Sequence, residues 1–104
     1  MKVLALGRDL VAADDPRFAE LRPAEARTAW ELQQRDVLRE IYFRADRPNG
    51  VLVLEVPDLV AARAAVDSLP LVAAGLIDFD LVPLRPYPGF ARLFAAPPEP
   101  LPGR

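Results

Sequence analysis

The sequence predicts one α+β domain whose elements follow the order β-α-β-β-α-β, and three observations carry this prediction. Short apolar runs with strand-like character occur four times within residues 1–84. Two intervening stretches have helical spacing and helix start signals. The segment Leu69-Pro70-Leu71 then connects the second helix to the last strand. A length of 104 residues suits a single domain.

The first half of the chain is predicted to form a buried strand, a long helix and a second strand. The first strand covers residues 2–7. Asp15 before Pro16 is a helix start signal, because a capping carboxylate precedes a proline at the first helical position. The helix should run to about Asp36, with a kink or break at Pro23, which has no amide hydrogen to donate.

One face of this helix should contact the sheet, because its residues recur at helical spacing. These residues are Phe18, Leu21, Glu25, Thr28 or Ala29, and Leu32. The strand that follows, residues 37–45, alternates in character, which predicts that Val37, Arg39, Ile41 and Phe43 share one face.

The second half repeats the strand, helix and strand order. The Asn49-Gly50 pair predicts a turn with positive φ, and the apolar run at residues 51–56 predicts a central strand. Asp58 is the expected N-cap of a helix over residues 58–68. The last strand is expected at residues 76–84, followed by a proline-rich extension over residues 89–104, of which 95–104 should be disordered.

This order is the ferredoxin-like plan, an antiparallel four-stranded sheet with both helices on one face. The other face needs a cover, because several strand residues are too apolar to leave in water, whichever face each takes. They are Leu4, Leu6, Leu38, Leu52, Leu54, Val82 and Leu84. Burying several of them against a second sheet would contribute about 1.5–3 kcal/mol per side chain. The sequence therefore predicts sheet-to-sheet dimerisation, with an α/β barrel formed across two chains.

Composition excludes several kinds of chemistry. There is no cysteine, which excludes disulfides and thiolate catalysis, and no histidine, which removes the commonest general base and metal ligand. A net charge of −2 gives no electrostatic reason to expect nucleic acid or an anionic membrane as a partner. No apolar run approaches a membrane span or a signal peptide, so a cytoplasmic protein is the expectation.

Three short motifs resemble a known family. Ala29-Trp30-Glu31-Leu32-Gln33, Arg39 on the following strand and Leu69-Pro70-Leu71 are similar to muconolactone isomerase. The chain resembles, more loosely, the YciI-like and antibiotic-monooxygenase-like dimeric α/β-barrel proteins. The likeness covers about residues 1–88. It implies a homodimer or higher homo-oligomer with a small-molecule pocket between sheet and helices. It also implies a double-bond shift by proton transfer, without metal or cofactor.

The resemblance also assigns roles to residues. Glu25 lies where the family has a helix-borne glutamate, Arg22 where it has a lysine, and Arg39 where it has a strand arginine. Glu25 and Arg22 would be catalytic in this interpretation, while Arg39 would hold an anionic group. Other residues would wall the pocket: Phe18, Ile41, Tyr42 and Phe79. The histidine and aspartate route of the YciI-like branch is excluded, because the chain has no histidine.

Each candidate also has a structural interpretation. Glu25 is either a carboxylate whose pKa is raised by burial or the ion-pair partner of Arg22 or Arg39. Arg39 either clamps a ligand carboxylate or forms a structural salt bridge. Tyr42 and Trp30 would stack on an aromatic ligand or pack at a subunit contact. Asp78 and Asp80 are about 6.5–7 Å apart on one strand face, a spacing that favours a solvated or interface-facing pair.

The sequence therefore leaves three functions open. The first is a cofactor-independent enzyme of the muconolactone isomerase type that moves a proton on a small lactone or oxygenated ring compound. The second is a non-catalytic ligand-binding or assembly module with the same fold. The third is a cofactor-free monooxygenase acting on aromatic substrates.

Overall fold

The computed structural model describes residues 1–94, and its elements follow the predicted order. The strands are β1 (Lys2–Asp9), β2 (Leu38–Phe43), β3 (Gly50–Glu55) and β4 (Ile77–Leu84). They form one antiparallel sheet in the order β2-β3-β1-β4, the ferredoxin-like arrangement. The helices are α1 (Arg17–Gln34), α2 (Leu59–Asp67) and the short α3 (Pro70–Ala73), with a 3-10 turn at Gly89–Leu93. The expected disorder after Phe94 lies outside the described residues.

The register of the sheet separates a buried face from an open one. Val3 pairs with Leu54, and Ala5 pairs with Leu52, and all four side chains are buried beneath the helices. Leu4 lies on the opposite face, where it pairs with Val53 on β3 and Val82 on β4. Because side chains alternate along a strand, the core lies between the sheet and the helices, and the second face is left without a cover in the single chain.

Helix α1 begins where the sequence predicts. The Asp15 carboxylate accepts a hydrogen bond from the Arg17 amide at 3.0 Å and pairs with the Arg17 guanidinium. These bonds lower the pKa of Asp15 to about 2. The predicted break at Pro23 is wrong, since α1 continues to Gln34. The proline removes a single backbone hydrogen bond, to the carbonyl of the exposed Ala19, which water can satisfy.

Two connections differ from the expectation. The Leu69-Pro70-Leu71 segment opens α3, with Pro70 in the first turn, where a missing amide costs nothing. The positive φ that follows is at Gly75, at 76°. Asn49 and Gly50 have no positive φ, and Gly50 is instead the first residue of β3. The hairpin between β2 and β3 therefore closes without the left-handed turn predicted for it.

No helix among residues 1–94 is both long and apolar enough to cross a lipid bilayer.

Candidate functional site

A cavity of about 730 Å³ lies between α1, the sheet and α3. Most of its lining is apolar, and it includes buried core side chains such as Leu32, Leu38 and Leu52. On the edge strand β2 the lining side chains are open to solvent, since Ile41 is 51% exposed and Phe43 is 78% exposed. The fold thus provides a water-accessible, apolar chamber of the size that small-molecule sites have.

Helix α1 supplies one long wall of this cavity. Phe18, Arg22, Glu25, Ala29 and Leu32 line it, at spacings of three or four residues that place them on one helix face. From the first to the last of them the helix rises roughly 21 Å. Glu25 lies seven residues from each end, so its carboxylate is near the middle of the wall.

Glu25 is held by the chain segment that opens α3. Its Oε1 accepts a hydrogen bond from the Leu71 amide at 2.9 Å. That amide belongs to the first turn of α3, where backbone donors have no partner within the helix. Burial raises the pKa of the Glu25 carboxyl, and the Leu71 hydrogen bond opposes that effect without cancelling it.

The ion pairs expected for Glu25 do not form. No salt bridge among residues 1–94 includes Glu25, Arg22 or Arg39. Arg22 still lies on the cavity wall, one helical turn before Glu25. The cavity therefore holds a carboxylate and a guanidinium that are not bonded to each other.

The structure brings together six of the seven predicted site residues. Those lining the cavity are Phe18, Arg22, Glu25, Ile41, Tyr42 and Phe79. Phe79 is buried, at 4% exposure, and forms part of the floor. Tyr42 borders the cavity while its hydroxyl donates to the Glu40 carboxylate at 2.7 Å, which raises the pKa of the tyrosine.

Arg39 is the exception, since it does not line the cavity. Its Nε donates to the Asp36 carbonyl at 2.8 Å, near the start of β2. Ile41 and Phe43 share one face as predicted, but Arg39 does not share it, because the pairing of β2 with β3 shifts by one residue between Leu38 and Glu40. Such a bulge reverses the alternation, so Leu38 and Ile41 both pair with buried leucines of β3.

Several lining residues carried no signal that would have marked them in the sequence. Gly7 and Gly50 form part of the floor, where a side chain would otherwise stand, and Leu71 contributes its backbone amide to Glu25. Helical spacing predicts most of the α1 residues, but the glycines of the floor and the backbone donor to Glu25 are seen only in the three-dimensional structure.

The remaining candidate residues, Asp78, Asp80 and Trp30, do not line the cavity. Asp78 Oδ1 pairs with Arg63 Nη2 at 2.7 Å, and Arg8 contacts both Asp78 and Asp80 at 3.3–3.4 Å. The neighbouring Phe79 amide and the arginines hold the pKa of Asp78 below its usual range. Trp30 is 60% exposed and does not line the cavity. Within residues 1–94 no group of acidic side chains is arranged to hold a metal ion.

Comparison with known proteins identifies the fold. A crystal structure of muconolactone isomerase at 3.3 Å resolution matches with a TM-score of 0.70 and 23% sequence identity. The match covers 85% of this chain and 92% of that one. No protein-family profile matches the sequence, and no curated protein is similar to it. The resemblance predicted from the motifs is confirmed at the level of architecture: this chain has a muconolactone isomerase-like fold.

Proposed function

We propose that this protein is a cofactor-independent enzyme of the muconolactone isomerase type, which transfers a proton on a lactone or oxygenated ring compound. The observation that carries the proposal is the Glu25 carboxylate, half-buried midway along an apolar cavity, with a raised pKa. A carboxylate with a raised pKa is a stronger base than an exposed one and returns the proton readily at neutral pH.

The two oxygens of the Glu25 carboxylate have different surroundings, which supports a separate role for each. Oε1 is fixed by the Leu71 amide, whereas Oε2 accepts no hydrogen bond from residues 1–94. In the proposed reaction Oε2 takes a proton from the ring carbon on the far side of the double bond from the carbonyl, and that C–H electron pair forms the new double bond. The electron pair of the old double bond moves toward the carbonyl, which gives a dienolate. The dienolate then takes the proton back from Oε2 at the carbon next to the carbonyl, which restores the carbonyl group. Substrate and product have the same composition, so no co-reactant is needed.

Arg22 is proposed to hold the anionic part of the substrate. Its guanidinium forms no ion pair with residues 1–94 and lies one turn from Glu25, so a carboxylate on the ligand would be its natural partner. The same positive charge stabilises the enolate as it forms. Arg39, outside the cavity, has no role in this proposal.

The open sheet face supports a second copy of the chain as the partner. Its apolar side chains include Leu4, Val53, Val82 and Leu84, and the last two are 38% and 41% exposed. Burying such residues against an identical sheet would contribute about 1.5–3 kcal/mol per side chain. We propose a homodimer on this basis, and the cytoplasmic location expected from the sequence stays a prediction.

A turnover assay tests the proposed function. Purified protein is incubated with muconolactone and related lactones, and the shift of the double bond is followed by ultraviolet absorbance. Glu25→Gln should lose turnover, whereas Glu31→Gln, an exposed glutamate on the same helix outside the cavity, should keep it. Ligand binding without turnover in the wild-type chain would favour the non-catalytic binding module instead.

A further inference from the structure

Two residues of the cavity floor, Gly7 and Gly50, have no side chain. Gly7 belongs to β1 and Gly50 to β3, and both lie on the helix-facing side of the sheet, next to the ring of Phe79. Elsewhere the same side carries large residues, including Leu52 and Leu54. The two glycines therefore extend the cavity toward the end that contains Phe18 and Arg22.

Close contacts between backbones account for the glycine at position 7 but not for the glycine at position 50. A Cβ at Gly7 would lie 3.0 Å from the Gly50 carbonyl oxygen and 3.2 Å from its amide nitrogen, so the close packing of the two strands favours glycine there. A Cβ at Gly50 would make only ordinary van der Waals contacts, with the Phe79 ring at 3.8 Å and the Tyr42 carbonyl oxygen at 4.0 Å, and Gly50 has no positive φ. Neither close packing nor the φ angle requires glycine at position 50. Because glycine has no side chain, the part of the cavity above it stays open.

The volume and polarity of the cavity point to one kind of occupant. About 730 Å³ lies in the upper part of the range for sites that enclose drug-sized ligands, well above the needs of a single-ring lactone. Near Gly50 the lining includes the polar residues Arg22, Asp9 and Asn49, and the Asn49 amide donates to the Asp9 carboxylate at 3.3 Å. The other end is lined by Ala29, Leu32 and Leu38. Glu25 lies between the two ends.

We infer that the site takes a fused multi-ring, mostly apolar compound with an anionic or oxygenated end, and that Gly50 sets this size limit. The inference rests on the proposed function for its chemistry, since Glu25 would then act on a ring near the middle of the ligand. The anionic end lies beside Arg22, and the rings of a large ligand fill the cavity from the space over Gly50 along α1 toward Leu32. A single-ring ligand occupies only part of that length and does not need the space over Gly50.

A series of probes with one anion and increasing ring number tests this inference. Benzoate, 2-naphthoate and anthracene-2-carboxylate are titrated by calorimetry into the wild-type chain, Gly50→Val and Ala24→Val. Ala24 is an exposed residue of α1 outside the cavity and serves as the bulk-adding control. In the wild type each added ring should tighten binding by about tenfold, because it buries further apolar surface.

Gly50→Val should weaken binding of the two larger probes by at least about tenfold and leave benzoate within about twofold. Gly50→Ala should give a smaller effect in the same direction, and it replaces the valine variant if thermal unfolding shows that the latter does not fold. Equal affinities across the series, or the same affinities in wild type and both Gly50 variants, would overturn the inference.

The result also separates this inference from the proposed function. Affinity that rises with ring number, without turnover of any lactone or multi-ring substrate, would support the size assignment and contradict the proton transfer. Turnover of a single-ring lactone, with no gain in affinity for larger rings, would support the proton transfer and contradict the size assignment.

Discussion

Glu25 combines a structural bond with a buried carboxylate, and two substitutions separate these contributions to stability. Glu25→Gln keeps an oxygen that accepts from the Leu71 amide and removes the charge. Glu25→Ala removes both, and leaves a partly buried amide without a partner. Because both variants lack the charge, the difference between their free energies of unfolding reports the hydrogen bond. We expect the alanine variant to be less stable by about 1–3 kcal/mol.

The difference in the free energy of unfolding between Glu25→Gln and wild type reports the effect of the carboxylate charge. Burial raises the pKa of Glu25 above its ordinary value of 4.5, so the folded protein binds the proton more tightly than the unfolded chain does. The stabilising contribution of the protonated carboxyl is complete below pH 4.5 and is lost as pH rises through the higher folded pKa. The glutamine variant has no such loss, so its stability relative to wild type should increase with pH across this window and then level off.

Urea unfolding of the three proteins from pH 4 to pH 8, followed by circular dichroism, measures both effects. Glu31→Gln provides the matched control, since that glutamate is exposed and lies outside the cavity. Equal stabilities of the alanine and glutamine variants would refute the role of the Leu71 bond. A wild-type chain that gained stability over Glu25→Gln as pH rises would refute the raised pKa.

Three further predictions address the fold and the assembly. Leu54→Ala removes a fully buried side chain from the core and should cost about 2–5 kcal/mol in urea unfolding, and a loss under 1 kcal/mol would contradict the described packing. Asp58→Ala removes the carboxylate that accepts from the Ala61 amide at 2.8 Å, so calorimetric unfolding should show a loss of about 1 kcal/mol; no change would mean that the cap is unimportant. Val53→Lys places a charge on the open sheet face and should convert the proposed dimer to monomer in sedimentation velocity, whereas an unaffected dimer would place the interface elsewhere.

The sequence was sufficient for the fold because each element carries its own local signal. The apolar runs, the Asp15-Pro16 start of α1 and the Asp58 cap predict the order of elements without information from distant contacts. Helical spacing predicts Phe18, Glu25, Ala29 and Leu32 of the α1 wall, whereas Arg22 follows only from the family resemblance, and Leu21, which the spacing also predicts, does not line the cavity.

The features that sequence reasoning missed depend on contacts between distant segments. A bulge of one residue in β2 reverses which side chains face the helices, and no residue near Arg39 in the sequence indicates this bulge. The partner of Glu25 is a backbone amide 46 residues away, so composition gives no hint of it. The cavity itself is the space left after packing, and its size depends on Gly50 as much as on any side chain.

The central claim, that Glu25 transfers a proton within this cavity, is tested most directly by hydrogen exchange on a bound ring compound. The protein is incubated with muconolactone in deuterium oxide, and proton NMR follows deuterium entering the carbon next to the carbonyl. The wild-type chain should accelerate this exchange, and Glu25→Gln should reduce the acceleration by about 10²–10⁴-fold while Glu31→Gln leaves it unchanged. Exchange at the wild-type rate in Glu25→Gln would contradict the account.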